Sequence, residues 1–185
     1  MSELATSPPR HNIVLVGFMG SGKSTVARVL QQRIGYELVD MDQIIEDRAG
    51  KPISRIFEED GEDVFRGMES GLLRELAMDG KEDRIISTGG GVVEREENRA
   101  LLGKIGYVVW LKVTPATVLD RTSRSKNRPL LQTEDPEGRV LELMARREPL
   151  YGEVADLTLE TEGLEVDEVM AGILECAGYY FAQRA

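Results

Sequence analysis

One cysteine, Cys176, stands in 185 residues, so no disulfide can form within the chain, which suits a reducing cytoplasm. Its place in a C-terminal apolar segment marks it as a packing residue. Histidine is equally scarce: the single His11 sits in the N-terminal lead-in, and no role is assigned to it. No apolar stretch is long enough to span a bilayer. Residues Met1–Arg10 are polar, contain Pro8-Pro9 and lack the apolar core of a signal peptide; residues 1–11 read as a disordered tail. Positive charge is in deficit. Twenty-three Lys and Arg against 33 Asp and Glu leave a net charge of −10. That balance argues against a broad nucleic-acid surface and makes any local arginine cluster stand out. No internal repeat and no linker divides residues 12–185, so a single domain is expected, large enough to bury a core.

What is present centres on Gly17-Phe18-Met19-Gly20-Ser21-Gly22-Lys23-Ser24, which fits the pattern G-x-x-x-x-G-K-[ST]. Upstream, Ile13-Val14-Leu15-Val16 reads as a buried strand. Downstream, Val26, Val29, Leu30 and Ile34 recur at helical spacing before Gly35. Strand, glycine loop and helix in that order are the context the motif requires. The glycines let backbone N–H groups turn inward at phosphate oxygens, and the helix N-terminus adds a positive dipole end. Gly20, Ser21, Gly22, Lys23, Ser24 and Thr25 are therefore the expected nucleotide contacts. Lys23 would reach the β- and γ-phosphates, and the Ser24 hydroxyl would ligate Mg²⁺. The chain is expected to bind a nucleoside triphosphate.

The remaining pattern alternates strands with helices. Strands are expected at Tyr36–Val39, Arg84–Thr88, Tyr107–Leu111 and Leu157–Leu159. Helices are expected after Asp42, over Ser54–Glu59, from Gly61 through Leu76, over Glu94–Gly103, Pro115–Arg121, Val140–Leu150 and Val166–Phe181. Such alternation implies an α/β fold with three layers, a central five-stranded parallel sheet between two layers of helices. Residues 122–138 break the rhythm, and an irregular segment that long inside a compact domain is usually functional.

Three polar groups stand out beyond the loop. Asp40 and Asp42 fall at a strand's carboxyl end, where ligands collect in open α/β sheets. They would hold Mg²⁺ through water or accept a substrate hydroxyl's proton; the plainer alternative makes Asp42 an N-cap. Gly89-Gly90-Gly91 ends another strand and permits close approach to a ligand. Ser87-Thr88 before it carries no acidic side chain, so Mg²⁺ must rely on Ser24, phosphates, waters and Asp40. Arginines are the third group. Arg66 has Glu69 in helical reach as an ion-pair partner; Arg121, Arg124, Lys126 and Arg128 crowd the irregular segment; Arg146 and Arg147 follow it. An arginine's planar fork grips carboxylate and phosphate bidentately.

From Asn12 to about Leu174 the chain resembles the shikimate kinase family. The matches come in order: Gly17 to Ser24, Asp40-Met41-Asp42, Ile56-Phe57, Gly61-Glu62, Phe65-Arg66 with Glu69, Gly89 to Gly91, Asn127-Arg128-Pro129-Leu130-Leu131, and Arg147 with Leu150-Tyr151. The resemblance implies a P-loop kinase fold with a mobile lid at about residues 122–138. It also implies ATP-dependent phosphorylation of the shikimate 3-hydroxyl, a step of chorismate and aromatic amino-acid biosynthesis. By the same resemblance Lys23, Asp42 and Arg128 are catalytic, with Asp42 either a base or a positioning group. Asp40 assists Mg²⁺ through water. Arg66, Gly89, Gly90, Gly91 and Arg147 cradle shikimate, Arg128 reaches the transferring phosphate, and Arg121 stacks on adenine. The basic adenine contact that some relatives carry after the last strand is replaced here by Glu160-Thr161-Glu162-Gly163. A cytoplasmic monomer without nucleic-acid or membrane partners is expected. Alternatives are a gluconate or nucleotide kinase of the same fold, or a nucleotide-dependent binding protein that has lost catalysis.

Overall fold

The structure is a computed structural model that describes residues 11–122, 129–131 and 133–183. Five strands form one sheet: β1 Ile13–Val16, β2 Glu37–Asp40, β3 Arg84–Ser87, β4 Tyr107–Lys112 and β5 Leu157–Glu160. Their order is β2-β3-β1-β4-β5, and every neighbouring pair is parallel. The central strand β1 is apolar throughout, and its neighbours β3 and β4 are buried at every residue but Lys112, as a sheet covered on both faces demands. Their side chains alternate between two cores. Val14, Val16, Ile86, Val108 and Trp110 face one way; Ile13, Leu15, Ile85, Tyr107, Val109 and Leu111 face the other.

The second of these faces is covered by α1 Lys23–Ile34 and α8 Val166–Ala182, which contribute Val26, Leu30, Val169 and Ile173. On the first face lie α2 Met41–Ala49, α3 Ile53–Glu59, α4 Glu62–Met78 and α5 Glu96–Ile105, joined by Tyr151 of α7 Pro136–Val154. α6 Pro115–Thr122 and the start of α7 close a third, smaller core around Phe18 and Met19. The three layers and the five parallel strands agree with the sequence pattern. The connections leaving β1 and β3 run in opposite directions across the sheet, so a crevice opens at their carboxyl ends.

Three local expectations change. The helix expected to begin at Glu94 begins at Glu96; Val92–Glu94 is a 3₁₀ turn and Arg95 is extended with φ −91° and ψ 129°. Asp40, not Asp42, caps α2, its side chain accepting from the N–H of Gln43 at 3.4 Å. The irregular segment of 122–138 is helical at both ends, because α6 runs through Thr122 and Pro136, at a position where proline suits a helix start, opens α7 behind the Asp135 cap. Residues 1–10, Arg124, Lys126 and Arg128 lie outside the described residues. His11 rests its ring on Phe181 at 5.0 Å.

Candidate active site

β1 delivers the chain to Gly17, and α1 leaves it at Lys23. Gly22, just before α1, has φ 92°, a left-handed conformation that costs glycine nothing. No side chain caps α1, so its first N–H groups and its positive end are left for an anion. Lys23 is buried and donates to the carbonyls of Gly17 at 2.7 Å and Phe18 at 2.9 Å. Ser24 and Thr25 lie exposed in the first turn of the helix. Arg121, at the end of α6, donates to the Gly20 carbonyl at 2.9 Å and so closes over the loop. A cleft of about 450 Å³ lies above Gly20–Val26, bounded by Arg121 and by Thr161, Leu164 and Val169 beyond β5.

A second cleft of about 550 Å³ adjoins the first. Asp40, Asp42, Arg66, Glu69, Gly89–Gly91 and Arg147 line it, with Ile53 and Phe57 of α3 and Phe65 of α4 as an apolar wall. Met19, Ser24, Asp42 and Gly90 border both clefts. The meeting point therefore holds a helix N-terminus, a carboxylate and a glycine turn.

The glycine turn is where the elements press closest. A Cβ on Gly89 would strike Glu69 Oε1 and come within 3.0 Å of Asp42 Oδ1; one on Gly90 would meet the Met19 nitrogen at 3.1 Å; one on Gly91 would overlap the Arg66 guanidinium. Each glycine thus lets one different part of the site reach the sheet end. Thr88 ahead of them donates its hydroxyl to the Leu15 carbonyl at 2.9 Å, tying β3 to β1.

Arg66 and Arg147 arrive from α4 and α7 and are both buried. Arg66 is heavily committed: Nη1 donates to Glu69 at 2.5 Å, Nη2 to Glu62 at 2.9 Å, and Glu94 lies 3.5 Å from Nη2. Arg147 donates through Nη2 to Glu94 at 3.1 Å and lies over the Phe18 ring at 5.6 Å. Its Nε, buried, meets no hydrogen-bond partner among the described residues, so this arginine has donors to spare. Burial pushes the Glu69 carboxyl up, and Asp42 adds to that against the opposing pull of Arg66. Burial also pushes Glu94 up, but Arg147, Arg66 and Arg146 outweigh it and hold the group below its ordinary value. Two buried cations beside a half-open cleft suit a bound carboxylate.

The residues named from sequence thus fall into two adjoining sets. Gly20, Ser21, Gly22, Lys23, Ser24, Thr25 and Arg121 border the first cleft; Asp40, Asp42, Arg66, Gly89, Gly90, Gly91 and Arg147 border the second. Two further residues take part that local sequence alone does not mark as site residues. Glu94 receives Arg66, Arg146 and Arg147 from the 3₁₀ turn that replaces the expected helix start. Tyr151, seen only as part of a motif, donates its hydroxyl to the Gly90 carbonyl; its spacing of four from Arg147 was the available signal.

Comparison with known proteins gives a consistent result. The family described as Shikimate kinase matches residues 19–177. A shikimate kinase from Thioalkalivibrio sulfidiphilus is 46% identical over 169 residues, covering 91% of this chain and 86% of that protein. One from a Marinomonas species is 44% identical, covering 89% of this chain and 90% of that one. Among solved structures, shikimate kinase from Acinetobacter baumannii in complex with shikimate superposes with a TM-score of 0.87 at 41% identity, covering 95% of each chain.

Proposed function

The chain belongs to the shikimate kinase family, and from that premise we propose how its residues divide the work. It is an ATP-dependent kinase that transfers the γ-phosphoryl group to the 3-hydroxyl of shikimate. The observation that carries the assignment of roles is the contact of the two clefts at Met19, Ser24, Asp42 and Gly90. One cleft offers open backbone N–H groups and a lysine for phosphates, the other two buried arginines for a carboxylate.

Phosphoryl transfer is mostly alignment and neutralisation of charge. ATP enters the first cleft with its phosphates on Gly20–Thr25. Lys23 exchanges the Gly17 and Phe18 carbonyls for phosphate oxygens, a short swing because its Nζ already lies within the loop. Shikimate's carboxylate docks on Arg147 and Arg66, which turns the ring hydroxyls toward Asp42 and the glycine turn. Asp42 orients the 3-hydroxyl and accepts its proton as the new phosphorus–oxygen bond forms, while the bond from the γ-phosphorus to the β,γ-bridging oxygen breaks and ADP leaves. Arg121 covers the adenine end. Arg128, whose role comes from the family resemblance, would supply positive charge from the 122–138 lid, and lid closure would exclude water as a competing acceptor.

Among the described residues no group of three or more His, Cys, Asp or Glu forms a metal cage. Ser24, exposed in the first turn of α1, and Asp40 border the same cleft and supply the hard oxygen donors Mg²⁺ prefers; the Ser24 hydroxyl would hold the ion directly and Asp40 through water, with ATP and water completing the shell. When bound, the ion would screen charge on the phosphates. No helix among the described residues is long and apolar enough to cross a membrane. The proposal includes a cytoplasmic monomer, an expectation carried by the family resemblance and the single cysteine.

A coupled ADP-release assay with ATP and Mg²⁺ tests the assignment by comparing shikimate, gluconate, AMP and no acceptor. Turnover with shikimate alone is expected. Turnover confined to another acceptor would overturn the roles given to Arg66 and Arg147. Silence with every acceptor despite ATP binding would favour a binding protein.

A further inference from the structure

Tyr151 lies one turn beyond Arg147 on α7, so both leave the same face of the helix. It is fully buried, its ring stacks on Trp110 at 5.6 Å between centroids, and its hydroxyl donates to the Gly90 carbonyl. The peptide that joins Gly90 to Gly91 is trans, so its C=O and its N–H point in opposite directions. Fixing the carbonyl on Tyr151 therefore aims the Gly91 N–H away from α7. Among the described residues no backbone carbonyl accepts from the N–H of Gly90 or Gly91. Glycine on both sides leaves that peptide plane little intrinsic preference. The P-loop backbone at Met19 limits Gly90 on one side. Tyr151 holds it on the other.

We propose that Tyr151 is a positioning residue for phosphoryl transfer: its hydroxyl locks the Gly90–Gly91 peptide so that the Gly91 N–H is preset to donate to an acceptor hydroxyl. The inference rests on reading the glycine turn as part of the acceptor cradle. Burial pushes the phenol far above its ordinary pKa, so it remains a donor wherever the enzyme works.

Tyr151→Phe keeps the ring and its stack on Trp110 and removes only the oxygen. The shikimate KM should rise about tenfold, the loss expected for one well-placed hydrogen bond, while the ATP KM stays within about twofold. In ¹⁵N-labelled protein, the Gly91 amide should move when shikimate is added to the unsubstituted chain and move much less in Tyr151→Phe. Trp110→Phe controls for packing; it should lower thermal stability without raising the shikimate KM. An equal KM rise in Trp110→Phe would assign the effect to packing and overturn the proposal. A Gly91 amide that responds alike in both proteins, with an unchanged KM, would overturn it while leaving the acceptor cradle intact. If neither glycine amide responds to shikimate in the unsubstituted chain, the cradle reading itself fails and the inference with it.

Discussion

Gly91 lies directly against Arg66: any Cβ at position 91 would overlap the guanidinium, which Glu62 and Glu69 already hold in place. Gly91→Ala must therefore displace Arg66 from partners on its own helix. An overpacked contact of this kind costs about 2 kcal/mol, which corresponds to roughly a thirtyfold loss of shikimate affinity if the strain falls on the cradle. Calorimetric titration with shikimate, and separately with ATP, checks this. ATP affinity should be unchanged, because Arg66 borders the second cleft and not the first.

Arg147 is the less committed of the two buried arginines that line the site; among the described residues Glu94 is its one carboxylate hydrogen-bond partner, and a buried Nε is left over. Arg147→Ala should raise the shikimate KM about a hundredfold, the scale of a charge-assisted pair. Arg147→Lys should recover little, since a point charge cannot replace a planar fork. Steady-state kinetics with shikimate varied at saturating ATP reads both. Full recovery by lysine would show that charge alone, without fork geometry, holds the acceptor.

Much of this was legible locally. The loop from Gly17 to Ser24, the five strands and the Arg66–Glu69 pair depend on residues close in sequence, where periodicity and glycine placement carry the information. Glu94 was not legible, because its three arginines come from α4 and α7 and meet it only after folding. The 3₁₀ turn that aims it follows the glycine run and interrupts what charge pattern alone reads as continuous helix. Asp40 and Asp42 both border the site, yet Asp40 and not Asp42 caps the helix. A helix starting at Met41 leaves Asp40 as the last extended residue, the position from which a side chain reaches the open N–H groups.

Asp42 stands where the two clefts meet, and the family resemblance gives its carboxylate the acceptor hydroxyl and not the nucleotide. Asp42→Asn preserves size and removes the charge. The turnover number should fall at least a hundredfold, with the ATP dissociation constant changed less than about threefold. Rapid-quench measurement of the chemical step, paired with nucleotide titration, separates the two. A large loss of Mg²⁺-dependent ATP binding would assign Asp42 to the metal instead.

Arg128 lies outside the described residues, and its expectation rests on chemistry and on the family resemblance. A cation that meets the transferring phosphate only as the reaction proceeds contributes to turnover more than to binding. Arg128→Ala should cut the turnover number about a thousandfold while shikimate affinity stays within about threefold. An unchanged turnover number would remove the 122–138 segment from the mechanism.

At the opposite end of the sheet, Arg84 is 2% exposed and forks onto Asp79 at 2.8 and 3.0 Å, while its backbone N–H donates to Asn12. Burial pushes the Asp79 carboxyl up, but its bonds from Arg84 and from the Lys81 N–H outweigh this and hold it below the ordinary value. A carboxyl lowered by folding stabilises the protein above its unfolded pKa of about 3.9, and that contribution disappears as pH falls through the lower folded value. Asp79→Asn leaves Arg84 buried without its counter-charge. The loss should be about 1–2 kcal/mol at pH 7, less than for a fully enclosed pair because Asp79 is 31% exposed. Urea unfolding of both proteins at pH 7 and again below pH 3 reads the prediction: the gap should close in acid. A gap of equal size at both pH values would show that shape, not the Asp79 charge, sets the difference. Shikimate turnover should be unaffected throughout, because neither residue borders a cleft of the site.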